Sequence, residues 1–181
     1  TSLAGSVSRI TLSTGSLGIT GDLAMTNSIA AAGTAVIFSN TGGLTIGGSF
    51  TLSNGIGTLT PSTGTVTYNT GSTATVATGS AISYRNLTIN KAGGAATTAA
   101  TGSLTVGAAL AVSNGTFNIS GVASTVTGTT TVAGGAAAGG TLNITSTTGA
   151  KTFTGAVTIN GGTVPGVFAN SAVNANVTMG G

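Results

Sequence analysis

Along this chain two apolar residues repeatedly flank one small polar residue, and a Gly, Asn or Ser turn follows. The unit occurs as Leu23-Ala24-Met25, Phe50-Thr51-Leu52, Leu87-Thr88-Ile89, Leu110-Ala111-Val112, Val157-Thr158-Ile159 and Val177-Thr178-Met179. With Thr130 standing for the copy before Val132, the intervals are roughly 27, 37, 23, 20, 27 and 20 residues, a range typical of strand-built solenoids.

Further alternating triplets lie between these copies, among them Ile10-Thr11-Leu12, Leu17-Gly18-Ile19, Leu44-Thr45-Ile46, Val66-Thr67-Tyr68, Leu104-Thr105-Val106, Phe117-Asn118-Ile119 and Leu142-Asn143-Ile144. Alternation places successive side chains on opposite faces of a sheet, so each strand buries one face. Helical spacing of apolar residues is absent, and Thr, Val, Ser and Gly are modest to poor helix formers. Two or three short strands per period make one coil of a parallel β-helix. Residues 1–181 therefore read as a single all-β solenoid domain of roughly six or seven coils, about 30 Å long at the usual strand spacing. The alternative is an antiparallel β-sandwich, which also alternates in short strands.

Paired glycines punctuate the strands at Gly42-Gly43, Gly47-Gly48, Gly93-Gly94, Gly134-Gly135, Gly139-Gly140 and Gly161-Gly162, as tight corners require. None is followed by Lys-Ser/Thr and a helical pattern, which a phosphate-binding loop needs. Ala92 to Ala100 and Ala133 to Gly140 consist almost wholly of Ala, Gly and Thr and read as wide loops, small-residue coils or linkers.

Apolar residues make up 40% of the chain, enough for a core, but only 3% is charged, against about 25% in an ordinary globular domain. The surface must therefore be built from Thr, Ser, Asn and backbone amides, which suits an extracellular or assembled structure. Arg9, Asp22, Arg85, Lys91 and Lys151 are scattered, so the net charge of +3 forms no basic stripe for nucleic acid. No apolar run approaches the roughly 20 residues of a membrane-spanning helix. Thr1 without a leader reads as a processed form or a segment of something longer.

This inventory leaves little room for catalysis or cofactors. Cys, His and Glu are absent, and Asp22 is the sole acidic side chain. Paired-carboxylate glycoside hydrolysis, thiolate or imidazole metal sites and carboxylate-rich calcium repeats all need more. A Ser-Lys nucleophile would depend on Lys91 or Lys151, and no Ser-x-x-Lys spacing occurs; both lysines read as solvated residues at edges or corners. The two Tyr and five Phe fall on apolar strand positions and read as core, with a sugar-stacking platform as the alternative. Thr-x-Thr runs resemble ice-binding arrays, but their uneven spacing predicts that they do not fall in register. Asn86, Asn114, Asn118, Asn143 and Asn176 begin Asn-x-Ser/Thr sequons and are candidate glycosylation sites, or members of stacked amide ladders.

The string Gly64-Thr65-Val66-Thr67-Tyr68-Asn69, then Ile82 to Lys91 containing Tyr84-Arg85-Asn86-Leu87-Thr88-Ile89-Asn90, then Leu104-Thr105-Val106 and Leu110-Ala111-Val112, resembles repeats of bacterial cell-surface proteins of the filamentous-haemagglutinin and autotransporter-passenger kind. The resemblance implies a secreted right-handed β-solenoid and transfers no catalytic residue.

Solenoids need capped ends, and neither terminus shows a helical or charged cap. The candidate assembly ends are Val7, Ile10 and Leu12 at one terminus and Val177 and Met179 at the other. The expected function is a non-enzymatic extracellular or cell-surface structural protein, a subunit or segment of a fibre whose partner is itself or an adjacent repeat. The alternative is an adhesin stalk or carbohydrate-binding passenger that contacts surface glycans.

Overall fold

The structure, a computed structural model, describes residues 8–25, 34–52, 57–69, 71–92, 96–99, 102–121 and 123–180. The chain winds upward in rungs. The first holds β1 (Ser8–Leu12), β2 (Ser16–Ile19) and β3 (Leu23–Met25), and the second β4 (Thr34–Phe38), β5 (Gly43–Ile46) and β6 (Phe50–Leu52). The third holds β7 (Thr58–Thr60), β8 (Thr65–Tyr68) and β9 (Ala74–Val76). In the fourth, Ile82 bridges to Leu59 and is followed by β10 (Tyr84–Asn90) and β11 (Ala96–Ala99). A single strand, β12 (Leu104–Ile119), runs round the whole fifth rung. The sixth comprises β13 (Ser124–Val126), β14 (Thr130–Val132) and β15 (Gly140–Ile144), and the seventh β16 (Lys151–Phe153), β17 (Val157–Ile159) and β18 (Val167–Asn170). β19 (Val177–Met179) begins the next.

The strand ladders between rungs are parallel; the one antiparallel pairing among the described residues is an isolated bridge between Gly135 and Val164. This excludes the antiparallel sandwich and gives a β-solenoid of about six turns. At about 4.8 Å per turn the stack rises roughly 29 Å.

Three sheets line the coil. The first face stacks β1, β4 and β7, then the start of β12, β13, β16 and β19. On the second lie β2, β5, β8, β10, the middle of β12, β14 and β17. The third carries β3 and β6, then β9, β11, the end of β12, β15 and β18. Inward residues form continuous columns. On the second face one column runs Leu17, Leu44, Val66, Leu87, Leu110, Thr130 and Val157, and its neighbour runs Ile19, Ile46, Tyr68, Ile89, Val112, Val132 and Ile159. Between the end rungs these side chains are buried. Each buried Leu, Ile and Val among them contributes on the order of 1.5–3 kcal/mol by leaving water, and each is held by its place in the register.

These columns correct the sequence-derived period. Same-face intervals run only from 20 residues (Leu110 to Thr130) to 27 (Leu17 to Leu44, and Thr130 to Val157). The apparent 37-residue gap arose because the Leu23 and Phe50 copies lie on the third face and the Leu87 copy on the second. The corners absorb the remaining variation.

The three strands expected between Leu104 and Ile119 are one continuous strand. It bends where Gly115 adopts φ 77°, a conformation that glycine reaches without a Cβ penalty. Gly140 meets the Val112 carbonyl oxygen so closely that a Cβ would overlap it. The stretch from Ala133 to Gly140 is a closed corner, in which the Gly140 N–H donates to the Ala133 carbonyl at 2.7 Å. Within Ala92 to Ala100, residues 96–99 pair as β11, and 93–95 and 100 lie outside the described residues.

Candidate functional site

The lysines are placed differently from expectation. Both sit at corners, but both are fully buried. Lys91 follows β10 and its Nζ donates to the Gly47 carbonyl at 3.0 Å, reaching from the fourth rung to the second. Lys151 opens β16 at an inward position, in register with Ser124 and Val177, and its Nζ donates to the carbonyls of Thr148 and Gly149, the latter at 3.0 Å. An ammonium offers three donors, and main-chain oxygens at tight corners accept them. Burial lowers the pKa of both lysines because desolvation penalises the charged form.

Asp22 also fixes a corner. Its Oδ1 accepts from the Ser49 N–H at 2.6 Å, and Gly48 packs so tightly beside that carboxylate that any side chain there would collide with it. The sole acidic side chain is thus a brace between the first two rungs.

Aromatic residues fill the core as expected. Phe38, Phe50, Tyr68, Tyr84, Phe117 and Phe153 are buried, and Phe168 is half-buried. Phe153 and Phe168 meet edge to face at 5.7 Å and 78°. The Tyr84 Oη donates to the Ala77 carbonyl at 2.7 Å. Burial pushes the Tyr68 and Tyr84 phenols well above the usual tyrosine range, and each also interacts with the other.

The five sequon asparagines divide by environment. Asn86 is half-buried, and its Nδ2 donates to the carbonyls of Thr63 at 3.0 Å and Gly64 at 3.2 Å. Asn118 and Asn143 are register partners forming an amide ladder, with the Asn143 Nδ2 donating to the Asn118 Oδ1 at 3.2 Å. The Ser171 Oγ extends it by donating to the Asn143 Oδ1 at 3.1 Å. Asn114 is half-buried with its Oδ1 enclosed, whereas Asn176 is exposed.

Outward positions carry threonine ladders. Despite the uneven chain intervals, Thr105, Thr125, Thr152 and Thr178 stand in one register column on the first face. The second face presents Gly18, Thr45, Thr67, Thr88, Ala111, Thr131 and Thr158 in another. The runs Thr65-Val66-Thr67 and Thr73-Ala74-Thr75 do lie on different faces, at β8 and β9, but threonines outside the runs complete columns, because same-face strands stay aligned while the corners change length. Comparing intervals face by face would have found this in the sequence.

Among the described residues, β1 is paired only to β4 and β19 only to β16. Ile10 and Leu12 are half-buried on β1, and Val7 lies outside the described residues. At the other end Val177 is half-buried and Met179 is 50% exposed, beside Ile159 at 51% and Val167 at 41%. The columns of Ile159 and Met179 are closed to water in the middle rungs, so the last turn displays core positions there, whereas Val167 continues the outward column of Thr116 and Thr141.

Continuous parallel ladders around a three-sided apolar core define a β-solenoid repeat protein. No protein family, curated protein or solved structure matches the chain. No helix among the described residues is long and apolar enough to cross a membrane.

Proposed function

We propose that this chain is a non-enzymatic structural protein of the cell surface or extracellular space, a subunit or segment of a fibre lengthened by stacking coil on coil. The observation that carries this reading is the exposure of Ile159 and Met179, which continue columns that are buried lower in the same stack. Unsatisfied strand edges next to apolar surface favour addition of a further rung. The half-buried Ile10, Leu12, Leu17 and Ile19 of the first rung offer a matching apolar edge. Such contacts propagate head to tail when the symmetry does not close. The low charge and the likeness to bacterial surface repeats support the location.

Negative-stain microscopy and sedimentation velocity test the proposal. Filaments or a concentration-dependent series of oligomers are expected. Ile159→Lys with Met179→Lys should return the protein to a folded monomer. A wild-type chain that stays monomeric at high micromolar concentration refutes assembly. The alternative, an adhesin stalk or glycan-binding passenger, has the weaker support because the aromatic side chains that stack on sugars are buried or half-buried. Saturable binding on a glycan array would favour it.

A further inference from the structure

We infer that the upper part of the first face is an adsorption surface for ordered water, that is, for ice. Thr105, Thr125, Thr152 and Thr178 form one column there, and Thr127 and Thr154 follow at the next outward positions of two adjacent rungs. All but the half-buried Thr152 are exposed. About a fifth of the chain is threonine, and it occupies all four positions of this column from β12 to β19.

The array is two-dimensional. Rungs repeat at about 4.8 Å, and alternate residues along a strand at roughly 6.7 Å. Both distances lie close to oxygen repeats of hexagonal ice, and each node carries a methyl beside a hydroxyl. β-Branching restricts χ1, and the backbone ladders fix the strands, so the hydroxyls lose little freedom on binding.

The chemistry of the face selects this occupant over others. A phosphate-bearing partner needs several cations together, but Lys151 is buried beneath the array with its Nζ on main-chain carbonyls, and the exposed Arg85 stands singly at its edge, beside Gly107. A crystalline polysaccharide is gripped by exposed aromatic rings, and the nearby Phe153 is buried. What remains is a repeating lattice of hydroxyls and methyls, with the exposed Arg85 guanidinium beside Gly107 at its lower edge.

The test uses the purified chain in ice-recrystallisation and thermal-hysteresis assays. The wild type should slow recrystallisation and shape ice crystals. Thr125→Lys with Thr152→Lys should abolish both effects. Thr125→Ala with Thr152→Ala, a smaller change that leaves the strands intact, should weaken both. Thr141→Lys, outward on the third face, should leave them unchanged, with circular dichroism verifying the fold of each variant. A wild type without ice activity overturns the inference, as does equal loss in the first-face and third-face variants. Binding to crystalline cellulose or chitin without ice activity also overturns it and reassigns the face to polysaccharide. None of these outcomes depends on fibre formation.

Discussion

Raising the pH above 10 should unfold this protein through two buried phenols. With no His, Cys or Glu and a single Asp, few side chains can link stability to pH. Tyr68 and Tyr84 are enclosed in the stack, and burial raises both above the ordinary value of 10.0. Above that pH the unfolded chain releases both protons while the folded chain keeps them. The folded state then binds two more protons, so stability falls by about 2.7 kcal/mol per pH unit, twice the one-group slope. One unit of pH thus removes a large share of the roughly 5–15 kcal/mol that holds an ordinary domain together.

Lys91 and Lys151 act in the opposite sense. Their folded pKa values are lowered from 10.5, so the unfolded chain holds more protons in the window below 10.5 and stability rises with pH there. A rise with pH on the approach to pH 10, followed by a steep descent above it, is the expected profile. Urea titrations followed by circular dichroism between pH 7 and 11.5 measure it. Tyr68→Phe with Tyr84→Phe should remove the descent. Losing the Tyr84 bond to Ala77 lowers stability by about 1 kcal/mol at every pH, so the slope is the readout. A wild type with flat stability to pH 11.5, or a double variant that keeps the slope, refutes the reasoning.

Three further outcomes are expected. Phe117→Ala empties a fully buried site stacked on Leu142 and should cost about 3–5 kcal/mol in urea denaturation. Gly140→Ala drives a Cβ into the Val112 carbonyl oxygen; the backbone shift should cost about 1–3 kcal/mol, read as a lower melting temperature. Expressed in a host that glycosylates Asn-x-Ser/Thr, the chain should gain its glycan at the exposed Asn176, so Asn176→Gln removes the added mass and Asn86→Gln does not.

The period-2 alternation in triplets such as Leu44-Thr45-Ile46 was enough to predict strands, because burying one face of a pleated strand demands that pattern. Recurrence of the triplet with Gly-rich corners was enough to predict a solenoid, and the aromatic residues could be assigned to the core from their apolar positions. Candidate sites were less legible. A lysine next to a corner looks solvated in a sequence. Only the fold shows that Lys91 reaches across two rungs to Gly47, a residue 44 positions away. The Asn118–Asn143 ladder was foreseen as a type of contact, but not which sequons would join it.

The sequence by itself determined strand, corner and core, since each depends on neighbours a few residues away. Tertiary structure decided which strand lies above which. Corners of different length lead to the same register, so spacing along the chain does not translate directly into alignment across it. The threonine columns and the reach of Lys91 to Gly47 both follow from that stacking, because each is set by contacts at least one full turn apart.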